Sequence, residues 1–169
     1  MNDPVLSRRS IRKYTGQPVP DDLVHRLLVA ATSAPSANNE QPWHFVVIRE
    51  RAVLDAVPSF HPYSLMLRQA SVAVLVCGDP ELQKSPAVDY WVQDCAAATE
   101  NILIEAAALG LGAVWLGIHP RLERVAGMRR LLGIPERIVP FALVPVGYPA
   151  EEKPPADRYD EARVHRDRW

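Results

Sequence analysis

Ala34-Pro35-Ser36-Ala37-Asn38-Asn39-Glu40-Gln41-Pro42-Trp43 separates a helical pattern from a strand pattern, using residues too small or too polar for either. Upstream, Leu23, Leu27 and Ala31, with Val24 and Leu28 beside them, form one apolar stripe at helical spacing. Val19-Pro20-Asp21-Asp22 opens that helix, because proline suits a first turn and two carboxylates suit the positive end of the helix dipole. Ala34-Pro35 closes it. Downstream, Trp43-His44-Phe45-Val46-Val47-Ile48 reads as a strand, bounded by Pro42 and by charge. Between the two, no apolar side chain exceeds Ala or Pro in size. Backbone N–H and C=O groups can therefore approach a ligand closely, and Asn39 and Gln41 offer both donors and acceptors. A Ser/Asn/Pro run is also what an ordinary helix-to-strand connection looks like.

Working outward, Arg51 to Val57 predicts a short helix, and Ser59 to Gln69 an irregular segment rich in rings and amides. Val72 to Cys77 is a continuous apolar run of strand length and predicts a strand buried on both faces. Ser85-Pro86 reads as the start of the longest helix, with Ser as cap and Pro at the first helical position. Its apolar positions, Val92, Cys95, Ala96, Thr99, Ile102, Leu103, Ala106 and Leu109, are matched on the other side by Ala97, Ala98, Ile104, Ala107 and Ala108. A helix apolar nearly all round needs cover nearly all round, which predicts a second subunit against it. Gly110 suits its C-cap. Ala113 to Ile118 reads as a short strand, and Arg121 to Leu132 as a helix ended by Gly133. Val139 to Val146 is strand-like but carries Pro140 and Pro145, which predicts an edge or interrupted strand. Residues 149–169 form a polar, proline-rich tail ending in Trp169, a side chain that needs a surface to lie against. Strands and helices alternate irregularly, so the pattern predicts an α+β sandwich.

The bulk numbers exclude more than they assign. A chain of 169 residues without a break in composition suits one domain, 1–169. The net charge is −1, from 19 basic and 20 acidic side chains, which points to neither nucleic acid nor an acidic membrane surface. Cys77 and Cys95 form no metal or redox spacing and read as core residues. No signal peptide or membrane span is evident, so a cytoplasmic location is expected. The five histidines lack metal-ligand spacing, no serine sits in a nucleophile elbow, and Gly110-x-Gly112 follows a helix, unlike a dinucleotide fingerprint. Tyr63, Tyr90 and Trp91 could line a pocket for flat substrates or simply pack.

The basic residues, however, are clustered. Arg8-Arg9-Ser10-Ile11-Arg12 lies near one end, and Arg158, Arg163, Arg166 and Arg168 near the other. Guanidinium forks satisfy phosphate oxygens bidentately, and a hydroxyl such as that of Ser10 adds a neutral donor. A solvated basic N-terminus is the alternative for that cluster taken alone. Together with the amide loop, it suits a phosphate carrying a polar, planar head group.

Arg-x-Ser-x-Arg, then a helix, then Pro-Ser-x-x-Asn-x-Gln-Pro-Trp resembles the FMN-binding signature of the nitroreductase family. The resemblance extends through Gly110-Leu111-Gly112, Trp115-Leu116-Gly117 and the tail motif Asp157-Arg158-Tyr159-Asp160 with Val164-His165. It implies a three-layer α+β sandwich, a mixed and mainly antiparallel sheet flanked by helices, in an intertwined homodimer with FMN at the interface. It implies that Arg8, Arg9 and Ser10 hold the phosphate and ribityl chain, with Arg158 closing from the tail, and that Arg12 lies near the pyrimidine edge of the flavin. Pro35, Ser36, Ala37 and Asn39 would meet the flavin from the other subunit, Gln41 is a further cofactor-binding residue, and the backbone around Leu116 and Gly117 would face the flavin N5. The tail 149–169 would pack on the partner. No catalytic side chain and no metal are implied. The implied activity is ping-pong transfer of hydride from NADH or NADPH, through FMN, to a small-molecule acceptor such as a nitroaromatic or quinone. Other chemistry on the same fold, or a flavin-binding sensor, are the alternatives. Larger relatives set an Asn and a Lys on the flavin ring, and Tyr63 to Gln69 has no equivalent.

Overall fold

The computed structural model describes residues 3–84, 88–154 and 156–169. Its elements are α1 (Pro4–Ser7), α2 (Asp21–Thr32), β1 (Trp43–Ile48), α3 (Arg51–Ala56), β2 (Val72–Gly78), α4 (Tyr90–Ala108), β3 (Gly112–Ala113), β4 (Leu116–Gly117), α5 (Leu122–Leu132) and β5 (Val139–Gly147). The strands join in the order β1-β2-β5-β3, with β4 also on β5, and every named pair is antiparallel. The parallel component is a bridge from Ser10 to Ala113.

β2 shows why the fold has three layers. Its residues are buried throughout, and successive side chains point to opposite faces. Val72, Val74 and Val76 enter a core with Leu27, Ala31, Cys95, Ala98 and Ile102 of α2 and α4. Ala73, Leu75 and Cys77 enter a second core with Leu54 of α3, Val125 and Met128 of α5, and Leu67. The expected strand buried on both faces and the α+β sandwich are both found.

Three element expectations need correction. β5 is interior to the sheet, not at its edge. Each proline falls where a ladder bond is missing anyway. Pro140 pairs with Cys77 beside the bulge at Val76/Cys77. Pro145 falls between the Ala113–Val146 and Leu116–Leu143 pairs, and its carbonyl accepts from the Tyr14 hydroxyl at 3.3 Å. For the same reason Ala113 to Ile118 is not one strand: Val114 and Trp115 break it into β3 and β4. The expected start of the long helix, Ser85-Pro86, lies outside the described residues; α4 begins at Tyr90 with Asp89 at the N-cap position. Among the described residues no helix is long and apolar enough to cross a membrane.

α4 buries Cys95, Ala98, Thr99, Ile102 and Ala106 fully against the sheet and α2. On its other side Ala96, Ala97, Ile104 and Ala107 stay half-covered within one chain. The tail first runs back along its own chain: Ala150 N–H donates to the Lys13 carbonyl at 2.9 Å, and Tyr14 bridges Pro149. From residue 156 onward its described residues are exposed, and Trp169 is fully so.

Candidate functional site

The arginine segment is built from its local contacts. Asp3 caps α1, its carboxylate accepting from Val5 N–H at 2.9 Å, and Arg8 ends the helix. The chain then extends. Ile11 N–H donates to the Ala113 carbonyl at 3.0 Å, and the Ile11 side chain is buried with Tyr14 and Ala70. Alternation in an extended segment turns Ser10 and Arg12 away from that core. Gly112 is required here: a Cβ would lie 2.6 Å from Ile11 Cγ2.

Arg8, Arg9 and Arg158, about as far apart in sequence as the chain allows, line one cavity of about 300 Å³ with Val5, Leu6, Asp157 and Tyr159. Arg8 Nε lies 3.2 Å from Glu100 on α4. Arg9 donates to the carbonyls of Pro154 (2.8 Å), Leu6 (2.8 Å) and Arg8 (2.7 Å), tying α1 to the tail. Lys153 donates to the Ser10 carbonyl, and Glu151 accepts from Arg12 N–H at 2.5 Å. That N–H, with the Lys153 charge behind it, holds the Glu151 carboxyl below its ordinary range. Arg12 contributes its guanidinium only to the Ser10 carbonyl, at 3.5 Å, among the described residues. A second cavity, of about 400 Å³, runs from Arg9 and Ile11 to Leu103, Ala107 and Lys153.

The amide loop is a strained turn. Asn38, Asn39 and Gln41 all have positive φ, at 51°, 56° and 50°. Side chains other than glycine adopt this region at a cost, and clusters of such residues mark functional positions. The turn holds itself together: Asn39 N–H donates to the Ser36 carbonyl (3.0 Å), Gln41 N–H to Ser36 Oγ (3.0 Å) and Gln41 Nε2 to Asn39 Oδ1 (2.9 Å). Asp94 of α4 anchors it, Oδ1 accepting from Ala37 N–H at 3.0 Å. Asp94 Oδ2 is buried without a partner among the described residues. Burial first, and the nearby Glu40 charge less, raise the Asp94 pKa against the lowering by that N–H.

A strained turn anchored to a buried carboxylate, and an arginine cavity closed by a distant tail, sit on a three-layer sheet whose central strand is buried on both faces. The nitroreductase family model matches residues 5–148. The chain belongs to the nitroreductase family. A relative from Archaeoglobus fulgidus, provisionally named NADH dehydrogenase/NAD(P)H nitroreductase, is 50% identical, over 98% of this chain and 96% of its own. A solved structure of a provisionally named NADH oxidase from Clostridium acetobutylicum is 42% identical, with a TM-score of 0.93 and coverage of 99% of this chain and 100% of that one. A provisionally named nitroreductase from Desulfovibrio desulfuricans, solved in complex with FMN, is 33% identical, with a TM-score of 0.83 over 98% of this chain and 95% of that one.

Within this nitroreductase-family chain the expected site residues fall into three groups. Arg8, Arg9 and Arg158 meet around one cavity, while Ser10 and Arg12 follow them along the chain and are held by Lys153 and Glu151. Pro35, Ser36, Ala37, Asn39 and Gln41 form the turn against Asp94. Leu116 and Gly117 form β4. Among the described residues no hydrogen bond or ion pair joins the turn to the arginines. Trp91, a pocket candidate in the sequence, instead packs in the core against Phe141 and His119, with ring centroids 6.1 and 5.0 Å away. Tyr63 and Tyr90 remain exposed.

Sequence reasoning missed three polar residues that hold these groups. Asp94 was hidden in an alanine-rich helix. His61, one of the five histidines without metal-ligand spacing, is buried with Nε2 3.1 Å from the Gly117 carbonyl. Arg124, within the helix expected from Arg121 to Leu132, donates to that carbonyl at 2.7 Å. A carboxylate inside an apolar helical run was the one visible signal. Among the described residues no cluster of His, Cys, Asp or Glu could hold a metal ion.

Proposed function

We propose that the protein is an FMN-dependent NAD(P)H oxidoreductase, one domain per chain, working as a homodimer on small-molecule acceptors such as nitroaromatics and quinones. The observation that carries this is the convergence of Arg8, Arg9 and Arg158 on one cavity. Three guanidinium groups around a cavity suit a phosphate monoester. The donor set therefore fits FMN.

Arg8, Arg9, Ser10 and Arg158 would hold the phosphate and ribityl chain, and Arg12 the pyrimidine edge. A cation there favours the negative charge that develops on reduction. The turn from Pro35 to Gln41 would offer its backbone and amides to the flavin of the other subunit, which accounts for its separation from the arginines within one chain. β4 would offer backbone N–H groups to the flavin edge. When bound, FMN supplies two-electron transfer between NAD(P)H and the acceptor in a ping-pong cycle, so the chain's own task is placement and electrostatics.

The test is a visible absorption spectrum of the purified protein, incubated with FMN and then treated anaerobically with NADH or NADPH. Bound flavin bands that bleach, and return on adding a quinone, are the expected result. Bands that persist under both reductants would make the protein a flavin-binding sensor, and no bands at all would overturn the reading. Combined Arg8→Ala and Arg158→Ala should weaken FMN binding at least tenfold while leaving the circular dichroism unchanged, since charge-assisted contacts are each worth about 1.5–3 kcal/mol. Unchanged affinity would contradict the phosphate assignment.

A further inference from the structure

A buried histidine and a half-buried arginine converge on one backbone carbonyl that faces away from β5. Ile118 N–H donates to the Phe141 carbonyl at 3.1 Å, so β4 turns the backbone groups of Leu116 and Ile118 toward β5. Alternation turns those of Gly117 to the opposite flank. There the Gly117 carbonyl accepts from Arg124 Nη1 at 2.7 Å and meets His61 Nε2 at 3.1 Å, with the two nitrogens 3.4 Å apart. A carbonyl only accepts, so its bond to His61 requires the proton on Nε2. Nδ1 is then a bare acceptor, and it has no partner among the described residues; Arg124 Nε also has none. Burial, and secondarily the Arg124 charge, keep His61 below its ordinary pKa and hence neutral, although the Gly117 bond opposes this.

The supports of the pair are themselves fixed. His61 N–H donates to the Val57 carbonyl at 3.0 Å, and its own carbonyl accepts from Ser64 Oγ at 2.7 Å. Arg124 lies 5.8 Å from the centroid of the Tyr63 ring. The arrangement leaves two buried nitrogens unpaired to secure one carbonyl at the end of a two-residue strand. Apolar side chains would fill the same space without that loss. What the pair gains is a fixed peptide: holding Gly117 C=O sets the plane of the Gly117–Ile118 unit and so restricts the two glycine torsions that relate that plane to the Gly117 N–H on the same flank.

We propose that His61 and Arg124 are positioning residues, clamping Gly117 so that the open flank of β4 presents its N–H at a set angle to the reacting edge of the flavin. The proposal rests on the reading of β4 as a flavin-facing strand. It also places the Arg124 cation behind that strand, where it favours negative charge on the ligand. The pair acts through Gly117.

The experiment compares Arg124→Met and His61→Leu with the conservative Arg124→Lys and His61→Gln, which keep a donor near the same oxygen. Three quantities are read: FMN affinity, the two-electron potential of bound FMN, and amide hydrogen exchange of Ile118 and His119 in the flavin-free protein. Arg124→Met and His61→Leu should bind oxidised FMN within a few fold of wild type, because the phosphate contacts are untouched. They should favour the reduced form about tenfold less, a potential lower by about 30 mV, and exchange Ile118 and His119 at least tenfold faster. Arg124→Lys and His61→Gln should recover most of both effects. If either apolar variant fails to fold, Arg124→Ala and His61→Ala, which also lack a donor, stand in with the same effects expected. Wild-type protein that binds no FMN overturns the flavin reading itself. Wild-type protein that binds FMN, with variants of unchanged potential and exchange, overturns the clamp alone.

Discussion

Asp94 shows how one buried carboxylate can hold a strained loop. It accepts from Ala37 N–H at 3.0 Å, so it fixes the start of the turn that carries Asn39 and Gln41. Its second oxygen has no partner among the described residues. Its pKa is raised, chiefly by burial. A raised carboxyl pKa means that the folded state binds its proton more tightly than the unfolded chain does. The stabilisation this brings is fully present below the unfolded value and is lost as pH rises through the folded value. At neutral pH the ionised Asp94 is therefore a cost. Asp94→Asn keeps an acceptor for Ala37 and removes the charge, so it should unfold at higher urea concentration than wild type at pH 7. The advantage should disappear as the pH is lowered and the wild-type carboxyl takes up its proton. Asp94→Ala should lose about 0.5–1.5 kcal/mol with the bond and bind FMN more weakly. Equal urea midpoints for Asp94→Asn and wild type at both ends of the pH range would contradict this account.

The elements explain both what the sequence made legible and what it hid. β2 was legible because a six-residue apolar run can satisfy two cores at once, and the structure supplies both. α2 was legible from its stripe and its paired aspartates. For β5 the edge reading was wrong and the interruption was right, because a proline's missing N–H argues for an edge only when the ladder around it is continuous. Here the bulge in β5 at Phe141, next to Pro140, and the break between β3 and β4 remove the need for a donor. The arginine segment and the amide turn stood out in the sequence because their residue types are unusual for a core or a plain loop, and they carry the proposed flavin site. The clamp on Gly117 was not, because His61 and Arg124 come from separate elements and act on a backbone atom. The close fit of Ile11 over Gly112 was hidden in the same way. Gly112→Ala should push Ile11 outward and shift Ser10 and Arg12 with it. Such overpacking costs about 1–3 kcal/mol, read as a lower denaturation midpoint, and FMN affinity should fall several-fold beyond the stability loss. A variant of reduced stability with unchanged FMN affinity would detach the β3 contact from the site.

For the whole molecule, coverage is the governing fact. α4 is covered on its sheet side, yet Ala96, Ala97, Ile104 and Ala107 are only half-covered by their own chain. The tail after Arg158 lies on no core of this chain, and its terminal Trp169, stacked on His165 with centroids 4.2 Å apart, is fully exposed. The amide turn and the arginine cavity stay apart in one chain, although a flavin would need both. The proposed homodimer would answer all three: a second copy would cover α4, receive the tail, and bring its turn to the first copy's arginines. A dimer built on α4 does not wait for the ligand, because apolar burial supplies the association. Sedimentation of flavin-free protein should therefore give a dimer at micromolar concentration, unchanged on adding FMN. Deleting residues 160–169, which spares Arg158, should leave the fold intact and raise the dimer dissociation constant at least tenfold. A flavin-free monomer would separate the half-covered face of α4 from assembly. A truncated chain that dimerises as tightly as the full one would show that the tail serves its own subunit.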